Sequence, residues 1–335
     1  MSEPVAPLAD ALRAVLSRHA RAGGEVQGLQ RLTGGATKQT WSFDWVSAGR
    51  RDALILQQTT ETPSAPGRTP KLSAAQDAAL MTAARAAGVP APRVLLVLQP
   101  DDGLGSGYIT ERIAGETLGR KVVGDAALAS ARMLLPRQCG AALAAIHGLS
   151  TAGLDFLQRL SPADELRLYA ALLDGLERRH AALAYAVRWV ATHLPPQWES
   201  RVVHADFRTG NLIVGAGDGL RCVLDWEIAR IGDPMQDLGV LCMRTWRFGG
   251  AGEAGGFGAR EDLYAAYEAA SGRAVDPARV RFWEVFSNLK WAISCVRRGS
   301  ARRADGRPAS VELGAIGRRL EEPLWDLLAL TAQEA

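Results

Sequence analysis

The chain has 335 residues, 47% hydrophobic and 22% charged, with a formal net charge of +3. That length suits two domains or one large two-lobed one, and scattered basic residues with so small an excess of charge argue against a nucleic-acid partner. Cys139, Cys222, Cys242 and Cys295 stand far apart without a CxxC, which disfavours a disulfide framework or zinc site and fits a reducing cytoplasm.

The first residues lack a basic stretch followed by a long apolar run, and no run of apolar residues is long enough to span a bilayer, so neither a signal peptide nor a membrane partner is expected. Leu8, Leu12, Val15 and Leu16 recur at helical spacing. Residues 26–57 alternate apolar and polar around Gly34-Gly35, a hairpin signal, and DALILQQ (52–58) reads as a third strand. TTETPSAPGRTP (59–70) is a loop. A helix over 73–87 follows, with Ser73 as N-cap and Gly88 just past its end. RVLLVLQ and GYITERI give two more strands across the turn PDDGLGSG.

Helices dominate after about residue 113. One covers 130–149 with Pro136 as kink or start. Another region begins with Ser161 as cap and Pro162 in the first turn, and ends at Pro195-Pro196. VVHADFRTGNLIV (202–214) and LRCVLDWEIAR (220–230) then form short strands joined by GAGDG. EDLYAAYEAASG is helical, as is the long segment from Asp276 to Gly299, while six glycines in 249–260 predict a flexible loop. The expected organisation is α+β: a small β-rich lobe with one main helix over 1–112, and a large, mostly helical lobe over 113–335 carrying a hairpin.

That hairpin holds the polar residues. Asp206 precedes Asn211 by five positions and Asp225 by nineteen. The loop before one strand and the end of the next can face each other, gathering all three around one cleft. Oxygen ligands from Asn211 and Asp225 suit Mg²⁺, which completes its shell with phosphate and water. Asp206 is then free to take a proton from an attacking hydroxyl, and Arg208 to neutralise charge on a phosphoryl group. A metal-dependent hydrolase built on His204, Asp206 and Asp225 is a rival, weakened by the lack of a second histidine-rich cluster.

The pattern HxDxxxxN followed by DWE resembles the aminoglycoside phosphotransferase/choline kinase branch of the protein-kinase-like superfamily, over roughly residues 25–300. The resemblance implies a bilobal protein-kinase-like fold. It also implies a phosphotransferase with Asp206 as catalytic base, Asn211 and Asp225 as metal ligands, and Arg208 in place of the catalytic-loop lysine. GDPMQDL (232–238) extends the match. His204, Glu227, Asp233 and Trp226 read as structural. LTGGATKQTW resembles the phosphate-covering loop, where Gly34 and Gly35 let backbone N–H groups approach phosphate. Lys38 either reaches a phosphate or is a solvated turn lysine. ITERIAG resembles the hinge, whose backbone near Glu111–Ile113 would bond adenine. One position departs from the family: its third-strand arginine or lysine is replaced by Gln57 or Gln58, and the glutamate on the next helix by Asp77. Gln57 keeps a hydrogen-bonding group at the phosphates but no charge.

The resemblance thus implies ATP or GTP with Mg²⁺ and a small-molecule alcohol acceptor. Arg244 and Arg247 would hold an anionic acceptor, or are merely surface arginines. HADFRTGN resembles the branch that includes kinase domains fused to acyl-CoA dehydrogenases, which implies a hydroxyacyl-CoA acceptor. Two alternatives stand: a pseudokinase-like nucleotide-binding module, favoured by the glutamines, and an antibiotic phosphotransferase, disfavoured by the lack of a dense acidic run.

Overall fold

The computed structural model describes residues 5–20, 22–32, 38–59, 71–176, 179–302, 305–307 and 309–332. Gly34, Gly35 and residues 60–70 of the expected loop lie outside the described residues. The chain opens with α1 (Val5–Ala20), followed by β1 (Glu25–Leu32), β2 (Lys38–Ser47) and β3 (Arg50–Thr59). Then come α2 (Ala74–Ala86), β4 (Val94–Val97) and β5 (Ser106–Glu111). The strands form one antiparallel sheet in the order β1-β2-β3-β5-β4.

Alternation of side chains gives the sheet two different faces. Trp41, Phe43, Trp45, Leu54, Leu56 and Ile109 pack with Leu12, Val15 and Leu16 of α1 into a core of their own. Burying each such side chain is worth about 1.5–3 kcal/mol, which is why the short amphipathic α1 stays docked. The other face carries Lys38, Thr40 and Ser42, registered opposite Thr59, Gln57 and Ile55. It looks toward α2, which starts where Ser73 and Gln76 form a reciprocal capping box.

The second lobe holds α3 (Gly119–Gly124), α4 (Ala129–His147), α5 (Pro162–Asp174) and α6 (Ala181–Thr192). Pro136 lies inside α4, neither starting nor ending it. Gly140 of α4 lets the later helix α8 approach, since a Cβ there would sit 2.8 Å from the Leu263 carbonyl. Next come β6 (Arg201–Val203), β7 (Leu212–Gly215), β8 (Gly219–Val223) and β9 (Arg230–Gly232), as the pairs β6-β9 and β7-β8. The remaining helices are α7 (Met235–Cys242), α8 (Arg260–Ser271), α9 (Pro277–Gly299), α10 (Val311–Gly317) and α11 (Glu321–Ala332). No helix among the described residues is long and apolar enough to cross a membrane.

The glycine-rich stretch corrects its expectation of flexibility. Bridges Gly252–Gly256 and Ala254–Gly258 fold it on itself, and Gly255 N–H bonds the Leu241 carbonyl at 2.9 Å. Ala254, Gly255 and Gly256 are buried. A Cβ at Gly252 would meet Gly258 and Phe257 backbone atoms within 2.8 Å, so glycine here permits close backbone packing.

Candidate active site

The catalytic loop leaves β6 at His204. Asp237, in the first turn of α7, accepts the N–H groups of His204 (2.8 Å) and Ala205 (2.7 Å). This holds Ala205 in the left-handed region, φ +67°, at a cost of about 1–2 kcal/mol for a residue with a Cβ. Behind it, His147 Nε2 lies 3.1 Å from Asp237 and its Nδ1 2.9 Å from the Tyr267 hydroxyl. Burial pushes the Asp237 carboxyl up, but hydrogen bonds and the His147 ring outweigh it and hold it below the usual carboxylate range. His204 is fully buried. Its Nδ1 accepts the Asp206 N–H (3.2 Å), so Nε2 is the protonated nitrogen and donates to the Leu224 carbonyl at 3.0 Å. The structural role expected for His204 is thus a bridge from the catalytic loop to the residue before Asp225.

Three groups meet at Asp206. Arg208 Nε donates to Oδ1 at 3.0 Å, and Asn211 Nδ2 to Oδ2 at 2.8 Å and to the backbone carbonyl at 2.9 Å. The Asn211 NH₂ is thus turned onto Asp206. The Asn211 carbonyl accepts the Leu224 N–H at 2.8 Å, which sets Asp225 alongside, at φ +66°. Burial pushes the Asp206 carboxyl up and Arg208 opposes the shift. The Arg208 guanidinium lies 4.4 Å from the Trp246 ring centroid, a cation–π contact that fixes its plane. Thr209 Oγ1 donates to the Gly255 carbonyl at 2.7 Å, fastening the loop to the glycine knot.

On the nucleotide side, Lys38 is not solvated: its side chain is 7% exposed. Its Nζ lies 3.1 Å from Asp77 Oδ2, 3.1 Å from Asp225 Oδ1 and 3.4 Å from Glu227 Oε2. Burial opposes its charge, but the carboxylates outweigh burial and raise its pKa well above that of free lysine. Gln57 contacts the Tyr108 hydroxyl, which bonds Asp77 Oδ2 at 2.9 Å, while Gln58 donates to the Leu104 carbonyl at 2.8 Å. At the hinge, Glu111 and Arg112 give their N–H groups to the Arg93 (3.0 Å) and Ala53 (2.9 Å) carbonyls. The N–H of Glu111 is therefore already held by a backbone carbonyl.

The acceptor side corrects a second expectation. Arg247 turns inward, bonding the Cys242 carbonyl at 2.9 Å and approaching Glu284 at 3.8 Å. Arg244 is exposed, 3.9 Å from Asp326. Trp246 lies between them in sequence and meets the catalytic loop. Trp226 is core, Asp233 accepts the Trp283 Nε1–H at 2.7 Å, and Glu227 takes Lys71 at 2.5 Å. Asp237 was visible as part of GDPMQDL. His147, Tyr108 and Trp246 had no local signal, because their partners are far along the chain.

A two-lobed fold with a base, an amide and a second carboxylate at one hairpin defines a kinase-like phosphotransferase. The model of the phosphotransferase enzyme family matches residues 28–283, and the chain belongs to that family. It is a small-molecule kinase. Among solved structures it is similar to a candidate aminoglycoside phosphotransferase from Ralstonia eutropha JMP134, with a TM-score of 0.73 at 20% identity over 97% of this chain and 98% of the other. A choline/ethanolamine kinase family protein from Mesorhizobium loti gives 0.64 at 23% identity, over 96% of this chain and 94% of the other. Spectinomycin phosphotransferase in complex with ADP and spectinomycin gives 0.66 at 12%, over 96% and 98%. At these identities the likeness is one of fold. Acyl-CoA dehydrogenase family member 10 of Mus musculus is 38% identical over 63 residues, which are 18% of this chain and 6% of the mouse protein.

Proposed function

We propose that the enzyme transfers the γ-phosphoryl group of ATP or GTP, with Mg²⁺, to a hydroxyl of a small molecule. The observation that carries this is the Asn211 side chain. Its NH₂ holds Asp206, and its backbone carbonyl accepts the N–H of Leu224 next to Asp225, so one residue ties the proposed base to both proposed metal ligands. Asp206 accepts the acceptor's proton, the alkoxide oxygen attacks the γ-phosphorus, and the bond to the β–γ bridging oxygen breaks to release the nucleoside diphosphate. Arg208 offsets charge on the transferring group. Asn211 and Asp225 hold Mg²⁺, which when bound neutralises phosphate oxygens. Lys38 and Gln57 line the phosphate side, and the adenine edge meets Ile113 rather than the committed N–H of Glu111.

A hydroxyacyl-CoA is the acceptor class we favour, supported by the partial match to acyl-CoA dehydrogenase family member 10. The four cysteines are free and buried, which fits a reducing cytoplasm.

The test is the shift in melting temperature on adding Mg-ATP or Mg-GTP. Nucleotide at one hundred times its Kd stabilises by about 2.7 kcal/mol. The shift should require Mg²⁺ and disappear in Asp225→Ala. Release of ADP on adding 4-hydroxyacyl-CoA then tests the acceptor. No shift with either nucleotide would sink the reading.

A further inference from the structure

We propose that the cation serving the α- and β-phosphates stands on the second strand of the sheet and not on the third. Lys38 does this work with Asp77 as its holder, and Gln57 is the neutral residue on the neighbouring strand. This deepens the nucleotide reading above and rests on it.

Three observations converge. Parity places Lys38 on the working face: it shares that face with Thr40, which is registered opposite Gln57. The charge has a dedicated holder. Asp77 is 1% exposed on α2, and its Oδ2 lies 3.1 Å from Lys38 Nζ. A buried ammonium without such a partner would be strongly disfavoured, so the pair is built as a unit. Finally, Gln57 reaches the same carboxylate at one remove, through the Tyr108 hydroxyl that bonds Asp77 Oδ2 at 2.9 Å. A lysine at position 57 would compete with Lys38 for that one carboxylate. The two positions are therefore alternatives, and the chain fills one of them.

The second and third carboxylates around Lys38 mark where phosphate would enter. Asp225 and Glu227 also contact Nζ, at 3.1 and 3.4 Å. Asp225 is the proposed metal ligand. With Asp225 holding Mg²⁺, the ammonium would keep Asp77 and would be free to pair with a phosphate oxygen in place of Asp225. The glutamines at positions 57 and 58 of β3 are then no ground for a catalytically weakened module.

The experiment measures Mg-ATP and Mg-ADP affinity by calorimetry, and acceptor-free ATP hydrolysis, on the full chain. Wild type is compared with Lys38→Gln, Gln57→Lys and the double variant Lys38→Gln/Gln57→Lys. Lys38→Gln should weaken Mg-ATP binding by at least about tenfold. The double variant should recover most of that loss, because the charge returns on the neighbouring strand at the same carboxylate. A purely structural Lys38 would not be rescued from another strand. Should Lys38→Gln not fold, Lys38→Gln/Asp77→Asn removes both charges together and should fold and bind weakly. Wild-type affinity in either Lys38 variant overturns the proposal, as does a folded double variant no better than Lys38→Gln. Wild-type protein that binds neither Mg-ATP nor Mg-GTP overturns the nucleotide reading itself.

Discussion

At the scale of single residues, Asp206 is the proposed base and its neighbours set its state. It is bonded by Arg208 and Asn211 and desolvated by its surroundings. Asp206→Asn keeps the shape and removes the base. It should lower turnover by about 10²–10⁴-fold while leaving the Mg-nucleotide melting shift in place. Steady-state rates and thermal shifts on one preparation check both halves, and an unchanged turnover would remove Asp206 from its role. These residues were legible in the sequence because HxDxRxxN and DWE are local patterns whose spacing encodes the geometry. Lys38 was ambiguous for the opposite reason. A lysine beside a glycine turn has no one-dimensional sign of burial, and Asp77, which decides the matter, lies thirty-nine positions away.

Among elements, helices with capping residues were readable at their ends, and strands by their alternation. Ser73, Ser161 and Asp276 each accept backbone N–H groups as helix caps. Each cap is worth about 1 kcal/mol, and its chemistry is local. The glycine knot was misread because composition counts glycines without showing which backbone each lets in. Its mechanical role is to grip the catalytic loop through Thr209 and Gly255. Gly255 has φ +58°, and a Cβ there would come within 2.7 Å of Thr209 Oγ1. Gly255→Ala should therefore destabilise the fold by about 1–3 kcal/mol in urea unfolding. It should also reduce turnover more than nucleotide affinity, since the strain falls on the catalytic loop. Equal loss of both would place the effect elsewhere.

For the molecule as a whole, a buried ion cluster makes stability depend on acid. Glu165 is 1% exposed and lies 2.7 Å from both Arg230 Nη2 and Lys290 Nζ. Burial pushes its carboxyl up, but the two cations pull it below the ordinary range. A depressed folded-state pKa stabilises above the unfolded value of about 4.3, and that contribution is lost as pH falls through the folded one. Chemical denaturation between about pH 7 and pH 3 should show stability falling on the acid side. Glu165→Gln should lose about 3–5 kcal/mol near neutrality, because two cations remain buried, and should show a shallower acid limb. An equally steep limb would assign the acid sensitivity to other carboxylates, Asp237 first. Nothing in the sequence announced this cluster, whose members come from three separate elements.

The placement of Lys38 also bears on how relatives should be sorted. Side chains on a strand alternate, so a lysine at 39 would point to the Trp41 side and be lost to the site. On β2 the usable positions are 38 and 40, and on β3 they are 57 and 59, which share one face. Relatives that carry the charge on different strands can therefore serve the same face. Scoring a single alignment column would file such relatives as degenerate, whereas asking for one cation anywhere on that face keeps them together.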